Sequence, residues 1–235
     1  MSLPVAILAG GLATRLRPAT DRVPKSLIDV AGKPFAVHQI ELLRSQGLTD
    51  IVFLVGHLGD MMCQVLGDGG RWGVRLRYVS DGSRPLGTGG AILRALPQLG
   101  DAFFVLYGDS YLECDFLAVE RSFVAAGKNG LMTVCRNDGR WDRSNVLFQN
   151  GHLVSYDKQH PTPEMRHIDY GLGAFRPTAF AGEGEGEAFD LATTYRRLLA
   201  NDDLQGFEVE GRFYEIGSPA GLDDTRRYLA AKGTP

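Results

Sequence analysis

Short apolar runs alternate with amphipathic stretches through the first half of the chain. Val5–Leu8 is a continuous apolar run that empties into Gly10-Gly11, the pattern of a buried strand leading to a loop. Phe35–Gln46 places Val37, Ile40 and Leu43 on one helical face and stops before Gly47, a residue suited to a helix C-terminus. Ile51–Val55 is apolar throughout, as a strand covered on both faces should be. Leu58–Leu66 reads as a helix, and Val74–Val79 sets Val, Leu and Tyr against two arginines as a more exposed strand. Thr88–Leu96 opens on a threonine suited to an N-cap and runs as a helix to Pro97. Ala102–Tyr107 is a further buried strand, ending at Gly108-Asp109.

This βαβαβαβ order predicts an α/β fold: a Rossmann-like three-layer α/β/α arrangement around a mostly parallel central sheet. The second half is richer in strands, over Gly130–Arg136, Val146–Gln149, Leu153–Asp157 and Tyr170–Phe175, with helices over Glu187–Ala200 and Pro219–Ala231. The biased segment Ala181-Gly-Glu-Gly-Glu-Gly-Glu187 reads as a flexible surface loop. With no repeat and no long linker, residues 1–235 are expected to form one domain. Its first half is roughly 1–115 and its second roughly 116–235.

Composition narrows the function. The chain of 235 residues carries a net charge of −3, which argues against a broad nucleic-acid-binding surface. No apolar run is long enough to span a bilayer, and the first residues lack a basic region followed by an apolar one. A soluble, cytoplasmic protein is expected. The basic residues are 20 Arg and only 5 Lys, so each lysine carries information. Cys63, Cys114 and Cys135 make an odd count without a CxxC and are read as reduced core thiols; the histidines form no zinc pattern.

The chemistry concentrates in Leu8-Ala-Gly-Gly-Leu-Ala-Thr-Arg-Leu-Arg-Pro-Ala-Thr-Asp-Arg-Val-Pro-Lys25, followed by Lys33-Pro34. Backbone N–H groups after such a strand can cradle phosphate oxygens, and glycines admit close approach of a ligand. The spacing is neither that of a Walker A loop nor the GxGxxG of dinucleotide enzymes, which excludes a dinucleotide dehydrogenase. Asp109, at the carboxyl end of a core strand, stands where α/β sheets bind ligands and has the oxygen chemistry that suits Mg²⁺.

The opening segment resembles that of the sugar-phosphate nucleotidylyltransferases, GGxGTRLxPxTxxxPK followed by KP. Gly10, Gly11, Thr14, Arg15, Leu16, Pro18, Thr20, Pro24, Lys25, Lys33 and Pro34 all match. Ala13 stands at the usual glycine, so that peptide must accept a conformation open to alanine, and Asp29 replaces a common proline. Pro85-Leu-Gly-Thr-Gly-Gly-Ala91 resembles the family's base-recognition loop, and Tyr107-Gly-Asp-Ser-Tyr111 its GD motif. Tyr156-Asp-Lys158 resembles the pair whose lysine holds the sugar phosphate. Asp169-Tyr-Gly-Leu-Gly-Ala-Phe175 resembles the strand that meets the sugar hydroxyls. Phe213-Tyr-Glu-Ile-Gly-Ser-Pro219 resembles W-x-D-x-G-T/S-P, with Glu215 where an aspartate normally ligates metal.

The resemblance spans Leu3 to Tyr228 and implies the nucleotide-diphospho-sugar transferase fold, with a smaller β-rich sugar-binding part; it makes roughly 1–115 the nucleotide-binding half and 116–235 the sugar-phosphate-binding half. It implies transfer of a nucleoside monophosphate from an NTP to a sugar 1-phosphate, releasing pyrophosphate, in NDP-sugar biosynthesis. Arg15, Lys25 and Asp109 are the implied catalytic residues, with Mg²⁺ held by Asp109 and Glu215. Leu8, Ala9, Gly10, Gly11, Thr14, Arg15, Ser80, Asp81, Pro85, Gly87 and Thr88 are expected to bind the nucleotide. Lys158, Asn145, Asp169, Tyr170 and Gly171 are expected to bind the acceptor. No β-helix extension follows, so the further domain of longer relatives is expected to be absent.

The expected substrates are GTP and a manno-configured sugar 1-phosphate, a heptose, because the loop motifs look most like those of guanylyltransferases acting on manno-heptose 1-phosphate. Mannose, hexose or muramate 1-phosphates with GTP, UTP or dTTP are the alternatives within the reaction class. A choline-phosphate cytidylyltransferase, with Trp141 and Tyr170 caging a quaternary ammonium, is another. A silent nucleotide-sugar-sensing subunit is the non-enzymatic alternative, opposed by the presence of Arg15, Lys25 and Asp109. No nucleic-acid or membrane partner is expected; a homo-oligomer is left open.

Overall fold

The computed structural model describes residues 2–11, 13–18, 20–184 and 186–232. Its strands are β1 (Val5–Ala9), β2 (Asp29–Val30), β3 (Lys33–Pro34), β4 (Asp50–Val55), β5 (Arg75–Ser80), β6 (Phe103–Tyr107), β7 (Ser110–Tyr111), β8 (Gly130–Arg136), β9 (Val146–Gln149), β10 (His152–Tyr156), β11 (His167–Phe175), β12 (Leu204–Glu208) and β13 (Tyr214–Glu215). The helices are α1 (Phe35–Ser45), α2 (Gly59–Leu66), α3 (Gly87–Ala95), α4 (Phe116–Ala126), α5 (Leu191–Ala200) and α6 (Pro219–Lys232).

The expected mostly parallel central sheet is present. β5, β4, β1 and β6 lie side by side in one direction. β11 then runs antiparallel between β6 and β8, β12 pairs parallel with β8, and the β9–β10 hairpin branches from the start of β11. The three layers follow from strand alternation. Val5, Ile7, Ile51, Phe53, Phe104 and Leu106 face one side, where α1, α2 and α4 supply Ile40, Leu43, Met62 and Phe123. Ala6, Val52, Leu54, Phe103 and Val105 face the other, against Ile92 and Ala95 of α3 and Tyr195 and Leu198 of α5. A smaller cluster joins Leu222 and Leu229 of α6 to Val30, Phe35, Tyr111 and Ile216.

Several boundaries differ from the sequence expectation, each for a local reason. The helix expected over Glu187–Ala200 begins at Leu191, because the Asp190 carboxylate caps it through the Ala192 N–H and Phe189 bonds instead to α3. α3 begins one residue before Thr88, which therefore is not its N-cap. The Thr88 hydroxyl accepts the Leu191 N–H at 2.7 Å, meeting a free donor at the start of α5. Helix α4 and strand β12 are additional elements. The segment 181–187, apart from Glu185, is tethered through Glu183–Arg197 (3.5 Å) and the Arg84 bond to the Gly186 carbonyl (2.9 Å). Ala13 adopts φ 47°, ψ 41°, the left-handed region that glycine enters freely and alanine at a cost of about 1 kcal/mol. Of the cysteines only Cys135 is a core thiol; Cys63 is exposed on α2 and Cys114 is half-buried.

Among the described residues no helix is long and apolar enough to cross a membrane. Asp115 accepts the Ala118 N–H at 2.9 Å as the N-cap of α4. Asp115→Ala is expected to cost about 1 kcal/mol, seen as a fall of about 2–4 °C in thermal unfolding.

Candidate active site

A cavity of about 270 Å³ opens beyond the carboxyl ends of β1 and β6. It is lined by Leu8 and Ala9 at the end of β1, by Gly10 and Gly11 of the loop that follows, and by Lys25 and Ser26. Asp81, Pro85, Gly87, Thr88 and Ala91 line it from the α3 side, and Tyr107, Gly108 and Asp109 from the end of β6. Neighbouring parallel strands release their loops at the same edge, so residues far apart in sequence converge there. Gly108 donates its N–H to the Leu8 carbonyl at 3.0 Å, and a Cβ at this position would lie 2.5 Å from that oxygen. Only glycine lets the two strand ends approach this closely.

The charged groups meet beside this cavity. Lys25 Nζ lies 2.6 Å from Asp109 Oδ2, with side chains 18% and 28% exposed. β13 pairs antiparallel with β7 so that Glu215 stands opposite Ser110, and Ile216 N–H donates to the Asp109 carbonyl at 2.9 Å. At Gly217 three groups converge. A Cβ there would fall 2.7 Å from Glu215 Oε2, 3.2 Å from Asp109 Oδ2 and 3.3 Å from Arg15 Nη2. Arg15, Lys25, Asp109 and Glu215 are therefore one cluster. Two convergent carboxylates beside a phosphate-sized space are the donor set that Mg²⁺ takes from proteins, which leaves its other positions to water and phosphate oxygens. No group of three or more His, Cys, Asp or Glu side chains able to hold a metal without a ligand's help occurs among the described residues.

Lys158, Asn145, Asp169 and Gly171, expected to bind the acceptor, form a second group that meets the cavity through Tyr107. Its hydroxyl is 3.5 Å from Asp169 Oδ2 and accepts from Lys158 Nζ at 3.3 Å. Asp169, with a side chain only 3% exposed, also meets Lys158 Nζ at 3.4 Å, the Tyr156 hydroxyl at 3.3 Å and the Gly171 N–H at 3.1 Å. Burial, reinforced by the Asp169 charge, pushes the Tyr107 and Tyr156 phenols up, so both act as neutral donors. Asn145 Oδ1 accepts the Asp169 N–H at 3.0 Å and holds the start of β11 in place.

Other expected site residues stand elsewhere. Tyr170 is 1% exposed in the core, and its hydroxyl is 3.4 Å from the Arg212 carbonyl, so it does not face the cavity. Trp141 packs edge-on against Phe213 and already carries the Arg212 guanidinium 5.6 Å from its ring, which removes the ammonium cage. Ser80 lies outside the cavity lining and accepts the Gly82 N–H at 3.1 Å. Thr14 is exposed in the short helical turn Thr14–Leu16, outside the lining.

Two residues were not anticipated as parts of the site. Tyr107 couples its two halves, although it sits inside the GD motif. Gln39, fully buried on α1, donates through Nε2 to the Tyr107 carbonyl (3.2 Å) and the Ser110 carbonyl (2.8 Å). Ser26 Oγ adds a bond to the Gly108 carbonyl at 3.3 Å. The backbone on both sides of Asp109 is thereby held. Gln39, an amide spaced four residues from both Phe35 and Leu43 on a buried side of α1, was the signal available in the sequence.

A family model described as Nucleotidyl transferase matches residues 5–143, and the chain belongs to that family. A glucose-1-phosphate thymidylyltransferase of Streptomyces griseus is 37% identical over 97% of this chain and 66% of its own length. An N-acetylmuramate alpha-1-phosphate uridylyltransferase of Neisseria meningitidis serogroup B is 29% identical over 96% of this chain and 97% of its own. A mannose-1-phosphate guanyltransferase of Gibberella zeae is 32% identical over 96% of this chain, which spans 64% of that protein. Among solved structures, HddC from Yersinia pseudotuberculosis, crystallised with GMP-PN, superposes with a TM-score of 0.79. That match has 22% identity and covers 97% of this chain and 99% of HddC. A Bacillus anthracis chain crystallised with sucrose reaches 0.87 at 21% identity, covering 100% of this chain and 97% of its own.

Asp81 carries a testable electrostatic consequence. It is 7% exposed, its Oδ2 accepts the Leu86 N–H at 3.2 Å, and burial raises its pKa above the usual 3.8. Above its native pKa the buried charge is a penalty to folding; below about 3.8 both states are protonated and the penalty is gone. Asp81→Asn, which can still accept from Leu86, is expected to raise the unfolding temperature at pH 7. The gain should shrink as the pH falls toward 4, as thermal unfolding across pH will show.

Proposed function

We propose that this protein transfers a nucleoside monophosphate from an NTP to a sugar 1-phosphate, releasing pyrophosphate. The observation that carries the proposal is the convergence of Arg15, Lys25, Asp109 and Glu215 beside the cavity, with Lys158 reaching Tyr107 at its edge. The relatives named above divide between uridylyl-, thymidylyl- and guanyltransferases, and all are named for sugar 1-phosphate acceptors.

The reaction asks the protein to hold two anions in line and to stabilise a departing one. The backbone of Gly10 and Gly11 and the Arg15 guanidinium receive the donor's phosphates, with Arg15 on the leaving pyrophosphate. Lys25 meets the charge that grows on the α-phosphate. Lys158 holds the acceptor phosphate, whose oxygen is already ionised, so no general base is required. Asp109 and Glu215 would hold Mg²⁺, which supplies charge neutralisation on the donor phosphates.

For the base we propose guanine. Asp81 presents a buried carboxylate in the cavity with only one oxygen committed to Leu86. The free oxygen suits the adjacent N1–H and 2-amino donors of guanine, whereas the N–H of uracil or thymine lies between two carbonyls that a carboxylate repels. For the acceptor we propose a manno-configured sugar 1-phosphate, a heptose, with Asp169 meeting a hydroxyl. Similarity to a mannose-1-phosphate guanyltransferase supports the manno configuration. Pyrophosphate release from four NTPs against glucose, mannose and manno-heptose 1-phosphates tests both choices. A preference for UTP, CTP or dTTP would overturn the base and leave the reaction class standing.

Two variants test the roles. Asp109→Asn is expected to lower kcat by about two orders of magnitude or more while the protein stays folded. Lys158→Ala is expected to raise the KM of the sugar phosphate about tenfold or more with the KM of the NTP little changed. Loss of NTP affinity in the lysine variant would reverse the assignment of the two halves.

A further inference from the structure

The Glu215 carboxylate is held in an unusual way. Its Oε2 accepts the Gly217 N–H, and its Oε1 is 2.7 Å from Ser218 Oγ. Ser218 Oγ also accepts the Gly221 N–H at 3.0 Å, and Thr225 Oγ1 donates to the Glu215 carbonyl at 2.8 Å. The side chain is thus folded against the first turn of α6, where free backbone donors favour a carboxylate. It has room to do so only because two residues have no side chain. A Cβ on Gly217 would lie 2.7 Å from Oε2; one on Gly221 would collide with Oε1 and stand 2.5 Å from Cδ. Neither glycine has a positive φ, so their backbones are open to alanine and the constraint is the space itself.

We propose that Gly217 and Gly221 form a seat that sets the reach of the Glu215 carboxylate and directs Oε2 toward Asp109. Gly221, where the three atoms nearest an added Cβ all belong to Glu215, is then a positioning residue. Its effect on a cation rests on the proposed reading that Asp109 and Glu215 share one. The seat matches the longer acidic side chain. Glutamate reaches across the vacated space and lies along it, whereas aspartate, one methylene shorter, would withdraw from Gly221.

The experiment compares the wild-type protein, Gly221→Ala, Glu215→Asp and the double variant. Unfolding temperature is measured without metal or nucleotide. An added Cβ on Gly221 also meets the Glu215 carbonyl oxygen at 2.8 Å, but that contact is common to both backgrounds and cancels in the cycle. Gly221→Ala is expected to lower the unfolding temperature by about 4 °C or more beyond its effect in the Glu215→Asp background. Equal shifts in the two backgrounds would overturn the seat. Should Gly221→Ala fail to fold, a folded double variant supports the seat and an unfolded one overturns it.

The second readout is the Mg²⁺ concentration for half-maximal pyrophosphate release. It is expected to rise about tenfold or more in Gly221→Ala and to rise no further when that change is added to Glu215→Asp. Thermal coupling with Mg²⁺ half-saturation unmoved would leave the seat standing and overturn the cation role of Glu215.

Discussion

The site depends on the contact between two parallel strand ends. Gly108 hydrogen-bonds the Leu8 carbonyl at a separation that no other residue permits. From that point the chain after β1 becomes the glycine loop, and the chain after β6 becomes the carboxylate turn. Sixteen residues beyond the end of β1, Lys25 returns to close the gap to Asp109 at 2.6 Å. The hydrophobic core supplies the force that holds β1 and β6 together, since both are buried on both faces. Gln39 and Ser26 then restrict the turn by binding the three carbonyls around Asp109. Packing sets the coarse position of the carboxylate and hydrogen bonds set the fine one.

The acceptor side is built on a different principle. Asp169 is a buried carboxylate surrounded by two tyrosine hydroxyls, a backbone N–H and one lysine. A charge at that depth is tolerated only when such partners replace water. Because the phenols are held neutral by burial, they act as donors, and the Lys158 side chain is left partly exposed. Tyr107 belongs to both halves, lining the cavity and touching Lys158. The proposed nucleotide and acceptor sides thus share a side chain rather than being separated in space.

Legibility in the sequence followed the range of the interactions involved. Strands buried on both faces announce themselves as unbroken apolar runs, which is why Val5–Leu8 and Ile51–Val55 were readable from local pattern. The residues that meet at and beside the cavity were readable through the family resemblance their motifs carry, because a motif is a local property of the chain. What could not be read depended on contacts between distant segments. Thr88 looks like a cap for its own helix, yet its hydroxyl serves α5 more than a hundred residues away. Phe189 lies in a stretch with helical composition, but its backbone is bound to Leu86 and Gly89, and that tertiary pairing defeats local propensity. Tyr170 stands beside Asp169 in sequence and, on a strand, must point to the opposite face, so adjacency to a site residue was the wrong guide.

The charge inventory gives the proposed chemistry its sharpest physical requirement. Arg15, Lys25 and Lys158 bring three cationic side chains to the site, and Asp81, Asp109, Glu215 and Asp169 bring four carboxylic ones, with Lys25 and Lys158 already paired. Such a set offers little net attraction to a triphosphate and a sugar phosphate, which would also repel each other. The arrangement makes sense when Asp109 and Glu215 act as holders for a divalent cation, because their charge then recruits positive charge to the donor phosphates. A cation on Asp109 would compete with Lys25 for that carboxylate, 2.6 Å away, and would leave the ammonium for the α-phosphate contact proposed above.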